Sequence, residues 1–299
     1  MSAQPGRDKR QVRHLHGDGS PSAEKLMAGF ALRTHREGME VKLDRIARSL
    51  GCSISTLSRL ENGRAAEKLD IERTLDAYQL TDALHRRHVV EMFAEAGARG
   101  WLRPYKTAAS NHALAQASFE SMAQRMRVSD LSSIPGLLQT REYARAVIRL
   151  SSRHKPADVE RLVGLRMERQ RRWFESKKMI ICVLDEALLM RLYGSPKVMR
   201  DQLDHLVTLS QLPYVELHVA PRSRYDLPIW SSATIFDFPD KQVPDIVYVE
   251  ELNTAFYITN EEEVDERVKT FDHLLRMSLR ADLSQARIRD LRNHVPDRR

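Results

Sequence analysis

Apolar positions between Ser22 and Gly100 recur every three or four residues, which is the spacing of one buried helix face. The residues that mark the first three helices are Leu26, Phe30 and Leu32, then Ile46, Ala47 and Leu50, then Ile54, Leu57 and Leu60. Two further helices are predicted over 69–78 and 81–97. The pattern therefore predicts an all-α domain over residues 22–100.

After Pro104 the pattern changes, because predicted helices now alternate with short runs rich in β-branched and aromatic residues. Helices are predicted at 111–125, 140–150, 158–175, 195–210 and 260–280, and strands at 179–184, 214–220, 233–238, 246–250 and 255–259. This alternation favours an α+β domain over 101–283. Outside the two domains, the composition of residues 1–21 predicts a disordered basic arm. Residues 284–299 are predicted to form a basic tail that is helical at most in part.

The segment 42–63 predicts two short helices joined by a tight turn. Gly51 can adopt the left-handed conformation that ends the first helix, and Ser53 can cap the second by accepting a backbone N–H bond. Leu57 and Leu60 then lie on the inner face, and short polar residues lie on the other faces. This is the geometry of a helix-turn-helix, and the alternative is a plain helical hairpin within a bundle.

The same segment resembles the Cro/repressor-like helix-turn-helix class of the xenobiotic-response-element type. The matching positions are Ala47, Leu50, Gly51, Ser53, Leu57, Ser58, Arg59, Glu61, Asn62 and Gly63, with Leu32 and Arg36 in the preceding helix. The resemblance implies a lambda-repressor-like fold and double-stranded DNA as the partner. It also implies a structural Arg36–Glu61 pair between the first and third helices.

Roles in DNA binding follow from the resemblance position by position. Ile54, Ser55 and Arg59 take the base-facing positions, and Ser53 lies against a phosphate at the helix N-terminus. The full predicted set is Lys42, Ser53, Ile54, Ser55, Thr56, Ser58, Arg59, Asn62 and Arg64. Two positions depart from the class: Leu43 replaces a phosphate-binding glutamine, for which Lys42 can substitute, and Glu40 replaces a loop glycine.

The second domain resembles the C-terminal domain of an actinomycete regulator family related to WhiJ-type developmental regulators. The matching stretches are IPGLLQTREYARAVI at 134–148, LRMERQ at 165–170, VLDEALLMR at 183–191 and VMRDQLDHLVTLSQLPYVELHVAP at 198–221. Some members are described as antitoxin-like, with a small protein encoded nearby. The resemblance implies a domain that binds an effector or partner, or one that assembles a homodimer.

Several residues of the second domain allow two interpretations. The aromatic residues Trp101, Tyr143, Trp173 and Trp230 can line an apolar cavity for an effector, or can all belong to the core. Asp185 and Glu186 follow a predicted strand, and we interpret them as carboxylates at a helix N-terminus rather than as an acid/base pair. An acidic string could hold a cation, but its spacing is not that of a metal site; it comprises Asp237, Asp240, Asp245, Glu250 and Glu251.

Composition narrows the classes of function. The net charge of +7 suits a phosphate-rich partner without proving one. Two distant cysteines argue against a disulfide scaffold, and there is no apolar run of the ~20 residues that a membrane span requires. No apolar segment follows the basic N-terminus, so a secretory signal is not expected. We therefore expect a cytoplasmic protein that is associated with the nucleoid through DNA.

Motifs of catalysis are absent from the sequence, which has no Gly-rich phosphate loop, HExxH, GxSxG or ligand-spaced histidines. We expect no enzyme activity, no cofactor and no metal. The sequence predicts a sequence-specific transcriptional regulator whose C-terminal domain senses an effector or assembles the dimer. The alternatives are an antitoxin-like DNA-binding protein that neutralises a small protein, and an enzyme fused to a DNA-targeting module.

Overall fold

The computed structural model describes residues 12–14, 23–63, 69–95, 100–150, 155–224, 226–239, 245–251 and 255–297. Its helical part confirms the predicted all-α domain. The helices of this domain are α1 (Ala23–Gly38), α2 (Leu43–Leu50), α3 (Ile54–Glu61), α4 (Ile71–Ala77) and α5 (Ala83–Glu95). Side-chain caps define two of the starts, because Asp70 accepts a bond from the Arg73 N–H and Asp82 accepts one from the His85 N–H.

Close packing of α1 against α3 holds the helical domain together. Leu26, Leu32, Leu57 and Leu60 are all fully buried in this core. Gly29 allows the approach, because a Cβ atom at this position would lie 2.6 Å from the Leu60 carbonyl oxygen. The position of α3 relative to α1 is therefore set by backbone contact as well as by side-chain packing.

The second domain is of the predicted α+β class. Its helices are α6 (Asn111–Met122), α7 (Arg141–Leu150), α8 (Val159–Glu175), α9 (Glu186–Met190), α10 (Pro196–Leu209), α11 (Glu261–Met277) and α12 (Ala281–Asn293). The strands of the structure are β1 (Val12–His14), β2 (Arg125–Asp130), β3 (Met179–Asp185), β4 (Val215–Ala220), β5 (Ala233–Asp237), β6 (Ile246–Glu250) and β7 (Ala255–Ile258). Short 3-10 turns precede α6, α7 and α8, at Gly100–Tyr105, Gly136–Leu138 and Pro156–Asp158.

The strands form one mixed sheet in the order β1-β7-β6-β5-β2-β3-β4. The β2, β3 and β4 strands are parallel, and the remaining pairs are antiparallel. We did not predict β2, although it lies near the middle of the sheet. Its sequence, RMRVSD, shows only two alternating apolar residues, and the buried Arg127 is compatible with a strand only because it pairs with Asp237 at 2.6 Å.

The prediction of a disordered arm over 1–21 is wrong at Val12–His14, which form a strand. These residues pair antiparallel with β7, where Val12 lies opposite Ile258 and His14 opposite Phe256. The open edge of β7 offers backbone partners that the arm can use. The remainder of the predicted arm lies outside the described residues.

The predicted basic tail from 284 is wrong for its first ten residues, because α12 is part of the domain. The Ser284 hydroxyl accepts a bond from the Val219 N–H at 2.9 Å, and Ile288 and Leu291 are buried where α12 contacts α10 and β4. The apolar face of α12 is only one residue wide, and its neighbours in the sequence are arginines and aspartates. A narrow stripe of this kind gives a weak periodic signal, which explains the error.

Ile288→Ala tests whether α12 belongs to the core. Because Ile288 is fully buried, the change should lower the free energy of unfolding by about 2–5 kcal/mol through lost burial and the cavity left behind. Urea denaturation of the full chain measures this loss. Arg289→Ala, at the exposed neighbour, is the matched control and should leave the transition unchanged. Equal midpoints for the two variants would contradict the packing of α12.

Candidate nucleic-acid interface

The turn between α2 and α3 has the predicted geometry. Gly51 has a φ of +67°, and it ends α2 with backbone bonds back to Ala47 and Arg48. The Ser53 side chain accepts a bond from the Thr56 N–H at 3.0 Å and so caps α3. The prediction for this turn is therefore confirmed at both of its defining residues.

A buried polar cluster of Arg36, Glu61 and Tyr78 holds α3 in place. Arg36 donates from Nε to Glu61 Oε1 at 2.6 Å and from Nη2 to Glu61 Oε2 at 3.0 Å. The Tyr78 hydroxyl donates to the same Oε1 at 3.0 Å, and Arg36 Nη1 donates to the Val41 carbonyl. Burial and the neighbouring Glu61 carboxylate raise the pKa of Tyr78, so its hydroxyl keeps the proton that it donates. The cluster joins α1, the end of α3, the end of α4 and the loop before α2.

The outer side of α3 exposes all three predicted base-facing residues and the predicted phosphate contact Ser53. Ser53, Ile54, Ser55 and Arg59 are exposed, and Ile54 keeps 53% of its surface accessible. The structure therefore brings together a short polar and apolar N-terminal turn with an arginine one turn further along the helix. An exposed isoleucine at this position provides a methyl surface for contact with a partner.

Other predicted contacts are engaged in local hydrogen bonds. The Thr56 hydroxyl lies 2.9 Å from the Ser53 hydroxyl, and the Asn62 amide donates to the Ser58 carbonyl. Thr56, Ser58 and Asn62 are only half-exposed. Arg64 lies outside the described residues, so its role stays a prediction.

Cationic residues flank the start of α2. Lys42 occupies the N-cap position with an exposed side chain that makes no capping bond. Arg45, one turn further, is also exposed, whereas Arg48 pairs with Asp44 at 2.8 Å. We had not predicted Arg45; its signal in the sequence is a second cation three residues after Lys42.

The loop before α2 contains the substituted glycine position. Glu40 is exposed and has a φ of +56°, in the left-handed region that favours glycine. This conformation explains why the related class places glycine here. The carboxylate of Glu40 is compatible with the loop because its side chain remains in solvent.

In the second domain, Asp185 and Glu186 have the structural roles that we favoured. Asp185 caps α9 by accepting a bond from the Ala187 N–H at 2.7 Å, and Glu186 accepts from the Arg222 N–H and from Arg287. Of the acidic string, Asp237 and Asp245 pair with arginines, and Asp240 lies outside the described residues. The described part of the chain contains no group of three or more His, Cys, Asp or Glu residues that could hold a metal.

A cavity of about 430 Å³ opens where β2 and β6 end and β5 begins. Its lining is mostly polar and includes Asp130, Arg166, Thr234 and Glu250. None of the four aromatic residues considered as a possible lining borders this cavity. Tyr143 is fully buried in the core, Trp101 and Trp173 border a cavity of about 210 Å³, and Trp230 borders one of about 370 Å³. The largest of these three cavities is therefore formed by strand ends and α8, and not by the four aromatic residues.

The fold and the interface define a two-domain helix-turn-helix protein. A family model described as a helix-turn-helix domain matches residues 28–88, and this class of domain is typical of DNA-binding regulators. A second model, described as "Domain of unknown function (DUF5753)", matches residues 115–290. Because this match spans more than half of the sequence, the chain belongs to the DUF5753 family.

Further comparisons add little. TrmBL2, an archaeal chromatin protein whose solved structure is described as showing a novel mode of DNA binding, aligns over 84% of this chain and 99% of its own. The identity is 12% and the TM-score is 0.29, a value too low to establish a shared fold, so we infer nothing from it. No curated protein matches the chain significantly. Among the described residues, no helix is both long and apolar enough to span a membrane.

Arg36→Met tests whether the buried cluster fixes α3. The variant leaves Glu61 buried without its cation, which should lower the free energy of unfolding by about 3–5 kcal/mol. Tyr78→Phe removes one hydrogen bond from the same carboxylate and should cost about 1 kcal/mol. Thermal and urea denaturation of the full chain measure both changes.

The matched control is Arg48→Met, which removes the exposed Arg48–Asp44 pair of the neighbouring helix. Exposed ion pairs contribute little to stability, so this variant should unfold like the unmodified chain. If Arg36→Met and Arg48→Met had the same midpoint, the cluster would not have the stabilising role assigned to it.

Proposed function

We propose that the chain is a sequence-specific transcriptional regulator that reads the major groove of DNA with α3. The observation that carries the proposal is the exposure of Ser53, Ile54, Ser55 and Arg59 on a helix fixed from behind by the Arg36–Glu61–Tyr78 cluster. Recognition of base edges needs side chains that can reach out from a rigid element. Arg59 can pair with guanine O6 and N7, Ser55 can bond a base edge, and Ile54 can contact a thymine methyl.

Contacts to phosphate position this helix. The N-terminus of α3 at Ser53 favours an anion, because its backbone N–H groups and the helix dipole both point toward it. Lys42 and Arg45 add exposed cations at the start of α2. These contacts carry no sequence information, but they set the register of α3 on the duplex. Lys42 and Arg45 therefore belong to the anchoring set, with Asn62 and Arg64 as further candidates.

A homodimer completes the proposal, since a single recognition helix reads only a few base pairs. Proteins of this class bind two-fold sites whose half-sites are about 10 bp apart, and the second domain is the proposed contact between protomers. We also propose that this domain binds an effector, which is supported by its cavity of about 430 Å³, a volume typical of ligand sites. Kinship with actinomycete WhiJ-type or antitoxin-like regulators forms part of the same proposal, with a small protein then serving as effector.

Arg59→Ala tests the recognition helix. Selection of binding sequences from random DNA with the full chain supplies the operator, and fluorescence anisotropy then compares it with its single base-pair variants. The variant should lose discrimination at one base pair by about 1–3 kcal/mol. Arg45→Ala is the matched comparison, since loss of a phosphate contact should weaken all sequences alike and reduce the salt slope by about one.

Two outcomes would contradict the DNA-binding proposal. Selection that enriches no sequence would remove sequence-specific binding altogether. An Arg59→Ala variant with the operator preference of the unmodified chain would show that α3 does not read the bases.

Assembly on DNA tests the dimer. Sedimentation of the full chain with an operator of two half-sites should give two protomers per duplex. Changing the spacing from about 10 bp to about 15 bp should weaken binding strongly, because the second half-site then lies on the opposite side of the helix. A chain that stays monomeric and binds one protomer per operator, whatever the spacing, would rule out the dimer.

A further inference from the structure

Among the described residues of the second domain, the buried or half-buried arginines pair with carboxylates except at two positions, Arg166 and Arg267, whose recorded partners are Gln139 and Ser231. The pairs are Arg169 with Glu120, Arg127 with Asp237 and Asp245, Arg145 with Glu142 and Glu160, Arg172 with Glu168, Arg200 with Asp297, Arg287 with Glu186, and Arg292 with Asp204. This agrees with the high cost of a buried charge that has no partner of opposite sign. Of these two arginines, Arg166 of α8 lines the larger cavity, the one of about 430 Å³.

Arg166 is half-buried and makes one recorded bond among the described residues, from Nη1 to the neutral Gln139 Oε1 at 2.6 Å. Burial lowers the pKa of Arg166 to about 10, so the side chain remains a cation at neutral pH. Three carboxylates act on Arg166 through their charge, and each has another partner: Glu250 lies 3.5 Å from His112 Nε2, Glu120 is paired with Arg169, and Asp130 accepts bonds from Ser132 and Ser232. A guanidinium with five N–H donors thus uses one of them on the protein.

The cavity that Arg166 lines lies at the point where the order of the strands reverses. From β2 the chain passes through α7 and α8 to β3, and then through α10 to β4 on the same side. It then returns to β5 on the other side of β2. In open sheets of this kind, the crevice outside the carboxyl ends at such a reversal is where ligands bind.

Three glutamines hold the loop of residues 134–139, which contributes Gly136 and Gln139 to the cavity lining. Gln139 donates to the Ile134 carbonyl, which orients its Oε1 toward Arg166, and Gln202 donates to the Leu138 carbonyl at 2.7 Å. Gln170 donates at 2.8 Å to the carbonyls of both Gly136 and Gln139. The guanidinium is therefore positioned before any ligand arrives, as a binding site requires.

Further polar groups of the cavity favour a small ligand. Gln116 and Thr234 line the cavity, and their side chains have no recorded hydrogen bond within the described part of the chain. Glu250 and Glu251 also line the cavity and, being exposed, form part of its rim. Rim carboxylates repel a ligand with several negative charges, whereas they tolerate one whose far end is neutral or cationic.

We propose that this cavity binds a small ligand with a single carboxylate group, which pairs with the guanidinium of Arg166. The planar fork of an arginine matches a carboxylate with two parallel N–H···O bonds, and Thr234 and Gln116 supply additional polar contacts. The inference gives the proposed effector a site and a chemical class, and in that sense it rests on the proposed function.

Fluorine NMR with three matched probes tests the proposal on the full chain. 4-Fluorobenzoate should show saturable binding in the millimolar range or tighter. The neutral 4-fluorobenzamide and the dianionic 2-fluoroterephthalate should each bind at least about tenfold more weakly, since the first lacks the charge and the far carboxylate of the second is repelled by the rim carboxylates. Equal binding of benzoate and benzamide, or no saturable binding of benzoate, would overturn the proposal.

Variants at α8 locate the site. Arg166→Met should weaken benzoate binding at least about tenfold, because it removes the charge-assisted contact. Arg161→Met, at an exposed arginine of the same helix outside the cavity, should leave it unchanged. The unfolding midpoint of Arg166→Met should equal or exceed that of the unmodified chain, because a buried charge without a carboxylate partner is removed. A purely structural arginine would give a lower midpoint together with unchanged benzoate binding, and that result would overturn the proposal.

The preference of the unmodified chain for benzoate over benzamide decides the question even if Arg166→Met fails to fold. Operator binding of Arg166→Met without probe should match that of the unmodified chain. If the unmodified chain does not bind DNA but binds benzoate, the proposed function alone is refuted. If it binds DNA but not benzoate, this inference alone is refuted.

Discussion

The ion pair between Arg36 and Glu61 is the interaction on which the presentation of α3 depends. Two helices of eight residues each are too short to be stable alone, so their orientation must come from tertiary contacts. The pair supplies a directional contact, because the guanidinium binds both oxygens of one carboxylate and Tyr78 occupies a further lone pair. Apolar packing through Leu57 and Leu60 provides stability but little directional restraint.

The second domain uses the same chemistry on a larger scale. Arg127 on β2 is buried next to the antiparallel β5, where Asp237 neutralises it, and Arg169 on α8 meets Glu120 on α6. Each pair joins elements that are far apart in sequence and therefore restricts how the elements can be arranged. Arg166 lies one helical turn before Arg169, and within the described part of the chain its recorded bond is to the neutral Gln139 and not to a carboxylate. The contrast between two neighbouring arginines of one helix distinguishes a residue that organises the fold from one available to a ligand.

Local signals explain how much of this could be predicted from the sequence. The glycine stop at Gly51 and the serine cap at Ser53 depend on a few neighbouring residues, so the turn and the ends of its helices were predicted correctly. The strand β2 was missed because its buried arginine is satisfied by a residue more than a hundred positions away. The cavity was missed for the same reason, since whether Arg166 has a carboxylate partner depends on tertiary structure. The four aromatic residues that could line a cavity or belong to the core divide between these two interpretations, because Tyr143 lies in the core whereas Trp101, Trp173 and Trp230 border the two smaller cavities.

The contact between the two domains bears on how a ligand in the cavity could affect the recognition helix. Helix α1, which carries Arg36, contacts α6, and α6 contributes Gln116 to the cavity and Glu120 to the pair with Arg169. The cavity and the recognition helix are thus separated by packed helices rather than by a flexible linker. Contiguity does not itself couple two sites, because a ligand shifts an equilibrium only by its difference in affinity for the two states. To change a population from 1:99 to 99:1, the ligand must bind one arrangement about 10⁴-fold more tightly. The proposed pair between Arg166 and a ligand carboxylate needs two parallel N–H···O bonds, so its strength would depend steeply on the position of α8. A large difference in affinity between two arrangements of the domain requires a contact of this kind.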